Sequence, residues 1–203
     1  MKSWPRRRGF TLIELMIVVA VLAVILTLAA PSFRDLILMQ RLRGVNAQLV
    51  TDLSFARSEA ISRGTFVQVR FQKVAGSMSC YSIASRPDGL TGNQCNCTAL
   101  PGARCPVGST EIRTVQYLVS DSVLLAVPPS PLPLPVIQRD YYTIDPRTGG
   151  IVQPPVDSGI VLPAEFPVEV FIDSARKLRT LVGFSGRIKV CTPAGSTTGA
   201  EAC

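Results

Sequence analysis

Between Gly9 and Pro31 the chain carries a 21-residue stretch, residues 10–30, in which Glu14 is the sole charged residue. As an α-helix that stretch spans about 31 Å, the thickness of a bilayer's hydrocarbon core. Three consecutive arginines, Arg6, Arg7 and Arg8, precede it, which sets its N-terminal end in the cytoplasm. A secretory signal peptide fits less well. Its apolar region runs about 7–15 residues and ends at a small-residue cleavage site, whereas Ala29-Ala30 here is followed directly by Pro31. A plain signal anchor accounts for everything except Glu14. A carboxylate costs about 2.5–3.5 kcal/mol at the centre of a bilayer and less near its edge, so a residue of this kind calls for a partner.

Net charge and cysteines refine the picture. The formal charge of +7 resembles a nucleic-acid signature until it is located, for Lys2 and the three arginines all lie ahead of Gly9. From Phe10 onward 17 basic residues face 14 acidic ones, an excess of +3, which argues little for nucleic acid. Six cysteines, Cys80, Cys95, Cys97, Cys105, Cys191 and Cys203, all follow the apolar stretch, and there is no histidine. The paired C-x-x-C spacing of a zinc site is missing, so disulfides formed after export are the expected state, and no metal or other cofactor is expected. Cys191–Cys203 and one or two bonds within the other four form the expected set. Fifteen connectivities are open, and a Cys95–Cys97 bond is disfavoured by its small ring.

The junction Arg8-Gly9-Phe10-Thr11-Leu12-Ile13-Glu14-Leu15 resembles the class III leader of type IV pilins and type II pseudopilins. The resemblance implies that a prepilin peptidase cuts between Gly9 and Phe10 and methylates Phe10, so that the apolar segment stays in the mature protein. It also implies that Glu14 meets the amino group of Phe10 on a neighbouring subunit during assembly, each charge offsetting the other's burial. Pro31 falls where many pilins carry a helix-loosening proline.

Beyond Pro31 the period becomes helical. Leu42, Val45, Leu49, Leu53, Ala56 and Ala60 recur every three or four residues and predict one buried face, with Arg41, Arg43, Gln48, Asp52, Arg57 and Ser58 mostly elsewhere. Gly64 is the expected C-cap. From Thr65 the period is two: Val67, Val69 and Phe71 alternate with Gln68, Arg70 and Gln72. Further strands are expected at residues 80–84, 112–119, 122–127, 141–144, 168–172, 177–184 and 188–191. Turns are expected at Asp173-Ser174-Ala175-Arg176 and Ser185-Gly186-Arg187. The expected fold class is α+β, type IV pilin-like: a long N-terminal helix packed on a mostly antiparallel sheet. The expected segments are a leader (1–9), a transmembrane segment (10–30), an amphipathic continuation (31–64) and an exported β-rich domain (65–203). A cysteine-rich loop at about residues 86–108 and a proline run at 128–135 interrupt the strands, the latter read as a stiff connection.

The segment Leu53-Ser54-Phe55-Ala56-Arg57-Ser58-Glu59-Ala60-Ile61-Ser62-Arg63-Gly64, with the closing Gly186-Arg187-Ile188-Lys189-Val190-Cys191, is similar to the GspH/FimT family of pseudopilins and minor pilins. These matches cover about the first third of the chain and a short C-terminal patch, leaving residues 75–165 unmatched. The partners implied are other pilins or pseudopilins, the prepilin peptidase, the inner-membrane assembly machinery and membrane lipid. An enzyme is not expected: histidine, a G-x-S-x-G elbow, a phosphate loop and metal-ligand spacing are all missing. Ser58-Glu59 and Asp145 with Arg147 have ordinary surface readings. Two functions stay open. One is a structural filament subunit. The other is weak DNA binding through Arg187 and Lys189, which resemble the glycine–arginine–any–arginine motif of DNA-binding FimT-type pilins, with lysine in place of the second arginine.

Overall fold

The computed structural model describes residues 9–86, 94–129, 140–152 and 164–203; the side chains of residues 28–32 lie outside that description. The leader arginines Arg6, Arg7 and Arg8, the Pro131–Pro135 part of the proline run and residues 87–93 of the cysteine-rich loop also fall outside it. The chain divides into two units, residues 1–38 and 39–203. Helix α1 (Leu12–Arg63) contributes to both and is continuous through Pro31.

In the first unit, residues 12–27 of α1 expose apolar side chains all round: Leu12, Ile13, Leu15, Met16, Val18, Leu22 and Ile25 are each about half or more exposed. A helix that is apolar on every face belongs in a membrane or among other helices.

In the second unit α1 is amphipathic as its spacing predicts. Leu42, Leu49, Leu53, Ala56 and Ala60 are buried, with Val45 partly so. Two polar residues share that face. Asn46 is buried and accepts from the Thr180 hydroxyl at 2.9 Å. Asp52, expected off the apolar face, is 1% exposed and bonded to Tyr81. The face is wider than an apolar-only pattern suggests because a buried carboxylate with partners is as tolerable there as a leucine. The helix stops at Gly64, whose φ of +62° is the left-handed geometry of a C′ glycine.

Eight strands follow among the described residues: β1 (Phe66–Val74), β2 (Met78–Arg86), β3 (Thr110–Leu118), β4 (Leu124–Ala126), β5 (Tyr141–Ile144), β6 (Glu165–Phe171), β7 (Lys177–Gly183) and β8 (Ile188–Cys191). All pair antiparallel, but into two four-stranded sheets rather than one, in the orders β3-β2-β1-β5 and β4-β6-β7-β8. Pairing partners far apart in sequence leave no trace in local alternation, so the split was not readable. The sheets meet where the Leu125 amide of β4 donates to the Ser79 hydroxyl of β2 at 2.9 Å, and where the Ile151 amide donates to the Phe184 carbonyl at 2.9 Å. Phe71, Tyr142 and Phe166 pack together between them.

Five of the seven further strands shift at one or both bounds. A 3-10 turn, Val119–Asp121, takes Val119 out of β3, and β4 begins only at Leu124. β6 begins three residues early and contains Pro167, at a stretch that β4 no longer flanks, where a missing donor is tolerated. Asp173 closes the β6–β7 turn, accepting from the Ala175 and Arg176 amides at 2.9 Å and from the Arg176 side chain. That Arg176 hydrogen bond holds the Asp173 carboxyl below its ordinary range.

β2 is buried on both faces. One lies toward the core with Tyr81 and Ile83. The other lies under the cysteine-rich loop, where the Cys97 amide donates to Gln72 and its carbonyl accepts from Gln116, each at 2.7 Å. Disulfides Cys80–Cys97 and Cys95–Cys105 fasten the loop, and Cys191–Cys203 fastens the C-terminus.

Candidate functional site

At the N-terminal end, Gly9 and Phe10 lie outside the helix and Phe10 is 83% exposed. Thr11 caps α1: its carbonyl accepts from the Leu15 amide at 3.2 Å and its hydroxyl from the Glu14 amide at 3.3 Å. Thr11-Leu12-Ile13-Glu14 is thus a T-x-x-E capping sequence, a signal present in the sequence and missed. Glu14 is exposed one turn into the helix, surrounded by exposed apolar side chains. The Gly9–Phe10 bond is therefore non-helical and accessible, with a lone carboxylate four residues beyond Phe10.

The second region is the β7–β8 turn. The Gly183 amide donates to the Arg187 carbonyl at 2.9 Å and the Gly186 amide to the Gly183 carbonyl at 2.8 Å. Gly186 has φ +76°, and a Cβ there would sit 2.3 Å from the Gly149 carbonyl oxygen. Glycine is demanded by the turn and by this close approach. Arg187 and Lys189 are both exposed, while Ile188 and Val190 between and after them pack on the core. The two cations share one face, and among the described residues neither has an ion-pair partner. Several other cations are engaged: Arg63 with Glu59, Arg70 with Asp140 at 2.9 Å, Arg104 with Glu111 at 2.8 Å and Arg179 with Glu169 at 2.5 Å.

The residues weighed for catalysis have structural partners. Glu59 pairs with Arg63 one turn on, and the Ser58 hydroxyl donates to the Phe55 carbonyl. The Asp145 carboxylate accepts from the Arg147 amide at 2.7 Å, closing a turn. Among the described residues no group of three or more histidine, cysteine, aspartate or glutamate side chains is placed to hold a metal.

Residues 4–30 match the family model described as the prokaryotic N-terminal methylation motif, and residues 46–135 match the one described as type II transport protein GspH. Together the two matches support a GspH/FimT-like type IV pilin. The GspH match runs through the cysteine-rich loop, so the middle of the chain, unmatched on short motifs alone, is in large part family sequence. No curated protein and no solved structure matches the chain at a significant level. GspH/FimT-like pilins are minor pilins or pseudopilins, structural rather than catalytic, that assemble with other pilins after prepilin peptidase processing. The methylation motif points to anchoring in a membrane through the N-terminal helix. Among the described residues no helix is long and apolar enough to cross a membrane; the described apolar part of α1 is residues 12–27, short of the 21-residue stretch in the sequence.

Proposed function

We propose that this pilin is a structural subunit of a type II secretion pseudopilus or a type IV pilus, cleaved between Gly9 and Phe10 and methylated on Phe10. Before assembly, residues 10–30 anchor it in the bacterial inner membrane, with the leader of residues 1–9 cytoplasmic, residues 31–64 continuing the helix and residues 65–203 forming the exported domain. The observation that carries this reading is the juxtaposition at the start of α1: an accessible, non-helical Gly9–Phe10 bond, then a helix apolar on every face, broken by Glu14 alone. In a filament the apolar surface is covered by neighbouring helices, and the Glu14 carboxylate meets the amino group that cleavage creates on a neighbour's Phe10. Intact-mass measurement of the membrane-extracted protein tests it. The expected mass is that of residues 10–203 with one added methyl group and three disulfides. A chain beginning near Pro31, or one retaining Met1 where the peptidase is active, overturns the reading.

A second reading, DNA binding during uptake, is favoured by Arg187 and Lys189, exposed on one face and without an ion-pair partner among the described residues. Phosphate contacts of this kind are salt-sensitive and independent of sequence. Lys189 offers charge without the planar fork of an arginine, so binding sits at the non-specific level, on the order of 10⁻⁴–10⁻⁶ M at physiological salt. Titration with duplex DNA at two salt concentrations, with Arg187→Gln/Lys189→Gln as the comparison, decides it; binding unchanged in the double variant removes this site.

A further inference from the structure

Helix α1 and the β7–β8 turn enclose an open groove of about 530 Å³, within the range of about 300–1,000 Å³ typical of ligand pockets. Its apolar walls are Val50 and Ile61 from the helix and Ile188 from β8. Arg57 and Arg187 supply its charge, and no acidic residue lines it. The nearest helix acid in sequence, Glu59, is engaged by Arg63.

Arg57 is held in place. Its Nε lies 2.8 Å from where a Cβ on Gly149 would be and 3.0 Å from where one on Gly186 would be, so its side chain occupies a slot that only paired glycines leave open. Among the described residues its recorded hydrogen bond is a long one, 3.5 Å from Nη1 to the Gly186 carbonyl. A guanidinium carries five donors. Most of those on Arg57 therefore remain unspent beside an apolar groove, next to an exposed Arg187 that is likewise unpaired among the described residues.

We propose that this groove docks an acidic peptide segment of a neighbouring filament subunit, with an apolar side chain between Val50, Ile61 and Ile188 and an adjacent carboxylate held by Arg57 and Arg187. The inference rests on the filament reading above and adds to it where a neighbour attaches. Charge complementarity selects an acidic occupant. A pre-placed guanidinium takes a carboxylate bidentately at little further ordering cost. The apolar walls select a peptide over a nucleic acid, whose backbone asks for a polar, charged track. Burial of an aliphatic side chain beside the two cations also excludes water from the ion pair and strengthens it.

The test places benzoylphenylalanine at Ser54 or Ser58, whose hydroxyls donate to the helix carbonyls of Val50 and Phe55, in the full-length protein in cells that assemble the filament. Irradiation is expected to give an adduct with another filament subunit, attached through a segment carrying aspartate or glutamate beside an apolar residue. Arg187→Glu, at an exposed position, should lower its yield roughly tenfold, the loss of one charge-assisted contact, and Arg57→Gln should lower it as well. No adduct, an adduct through a segment without acid, an adduct with nucleic acid, or a yield unmoved by Arg187→Glu overturns the proposal. The sheared-filament fraction separates the two failures. A variant present there without an adduct sinks the groove alone, whereas a wild-type chain never found there sinks the filament reading.

Discussion

The Tyr81 hydroxyl of β2 donates to the Asp52 carboxylate of α1 at 2.6 Å, while Arg113 of β3 holds the other oxygen of that carboxylate at 2.9 Å. Asp52 is almost fully buried and Arg113 is 43% exposed at its side chain. One carboxylate thus ties the helix to two strands of the first sheet, six residues beyond Asn46, which ties it to Thr180 of the second. Apolar packing is indifferent to small slides of a helix along a sheet, whereas a buried hydrogen bond is lost within about half an ångström of misplacement. The two polar ties therefore fix the register in which α1 crosses the sheets.

Removing the cation partner of Asp52 should cost more than removing Asp52 itself. Arg113→Met leaves a buried carboxylate without its cation and should destabilise by about 3 kcal/mol. Tyr81→Phe leaves one oxygen unsatisfied and should cost about 1–3 kcal/mol. Asp52→Leu removes the buried charge but orphans the buried Tyr81 hydroxyl, and should also cost about 1–3 kcal/mol, less than Arg113→Met. Urea unfolding of the detergent-solubilised protein gives the order; Asp52→Leu as the most damaging change would contradict it.

Alkaline pH should loosen the same region. Burial, then the hydrogen bond to Asp52, raises the Tyr81 pKa well above its ordinary value near 10. Burial likewise raises Tyr117 and Tyr142. A folded-state pKa raised above the unfolded one leaves the native state holding protons that the unfolded chain has released. Stability is then intact below about pH 10 and falls as pH climbs past it. Tyrosinate absorbance from these three residues should appear together with loss of tertiary circular dichroism. Ionisation of all three ahead of unfolding would show that they are not sealed in the core.

Gly186 and Arg187 should separate structure from binding. Gly186→Ala forces a side chain into φ +76° and against the Gly149 carbonyl, costing more than about 1 kcal/mol in backbone strain alone. Arg187→Ala, at an exposed position, should change stability by no more than about 0.5 kcal/mol. A thermal melt of each variant checks both, and an unchanged Gly186→Ala midpoint would mean that the turn can relax.

How much was legible depended on whether the governing interaction is local. The spacing of Leu42, Leu49, Leu53, Ala56 and Ala60 announced the helix because its period repeats within a few residues. Val67, Val69 and Phe71 announced a strand for the same reason. Gly64 ended the helix where a left-handed residue was needed. Asp52 misled because its partners, Tyr81 and Arg113, are supplied by strands far along the chain. The division into two sheets was hidden likewise, and so was the role of Arg57, whose slot exists only once Gly149 and Gly186 meet. Cys191–Cys203 was expected and is present. Cys80–Cys97 and Cys95–Cys105 follow from the loop lying across β2, which no spacing rule contains.

Glu14 is the residue on which assembly and helix capping make different demands. The Thr11 hydroxyl accepts from the Glu14 amide, and in a capping sequence the side chain three residues after the cap can be glutamate or glutamine. Glu14→Gln therefore keeps a side chain able to complete the capping box while removing the charge, whereas Glu14→Val loses both and keeps only the backbone bond to Thr11. If the carboxylate serves to meet the new ammonium of a neighbour's Phe10, both variants should insert into the membrane at least as well as wild type. Each lowers the cost of burial, and each leaves that ammonium unpaired in the filament. Both should be processed at Gly9–Phe10 and both should be depleted from sheared filaments, to a similar degree. If the carboxylate matters only for starting the helix, Glu14→Gln should enter filaments normally and Glu14→Val should not. Quantifying the two variants in membrane and filament fractions of the same cells separates these outcomes, and normal incorporation of Glu14→Gln would remove the charge-pairing role.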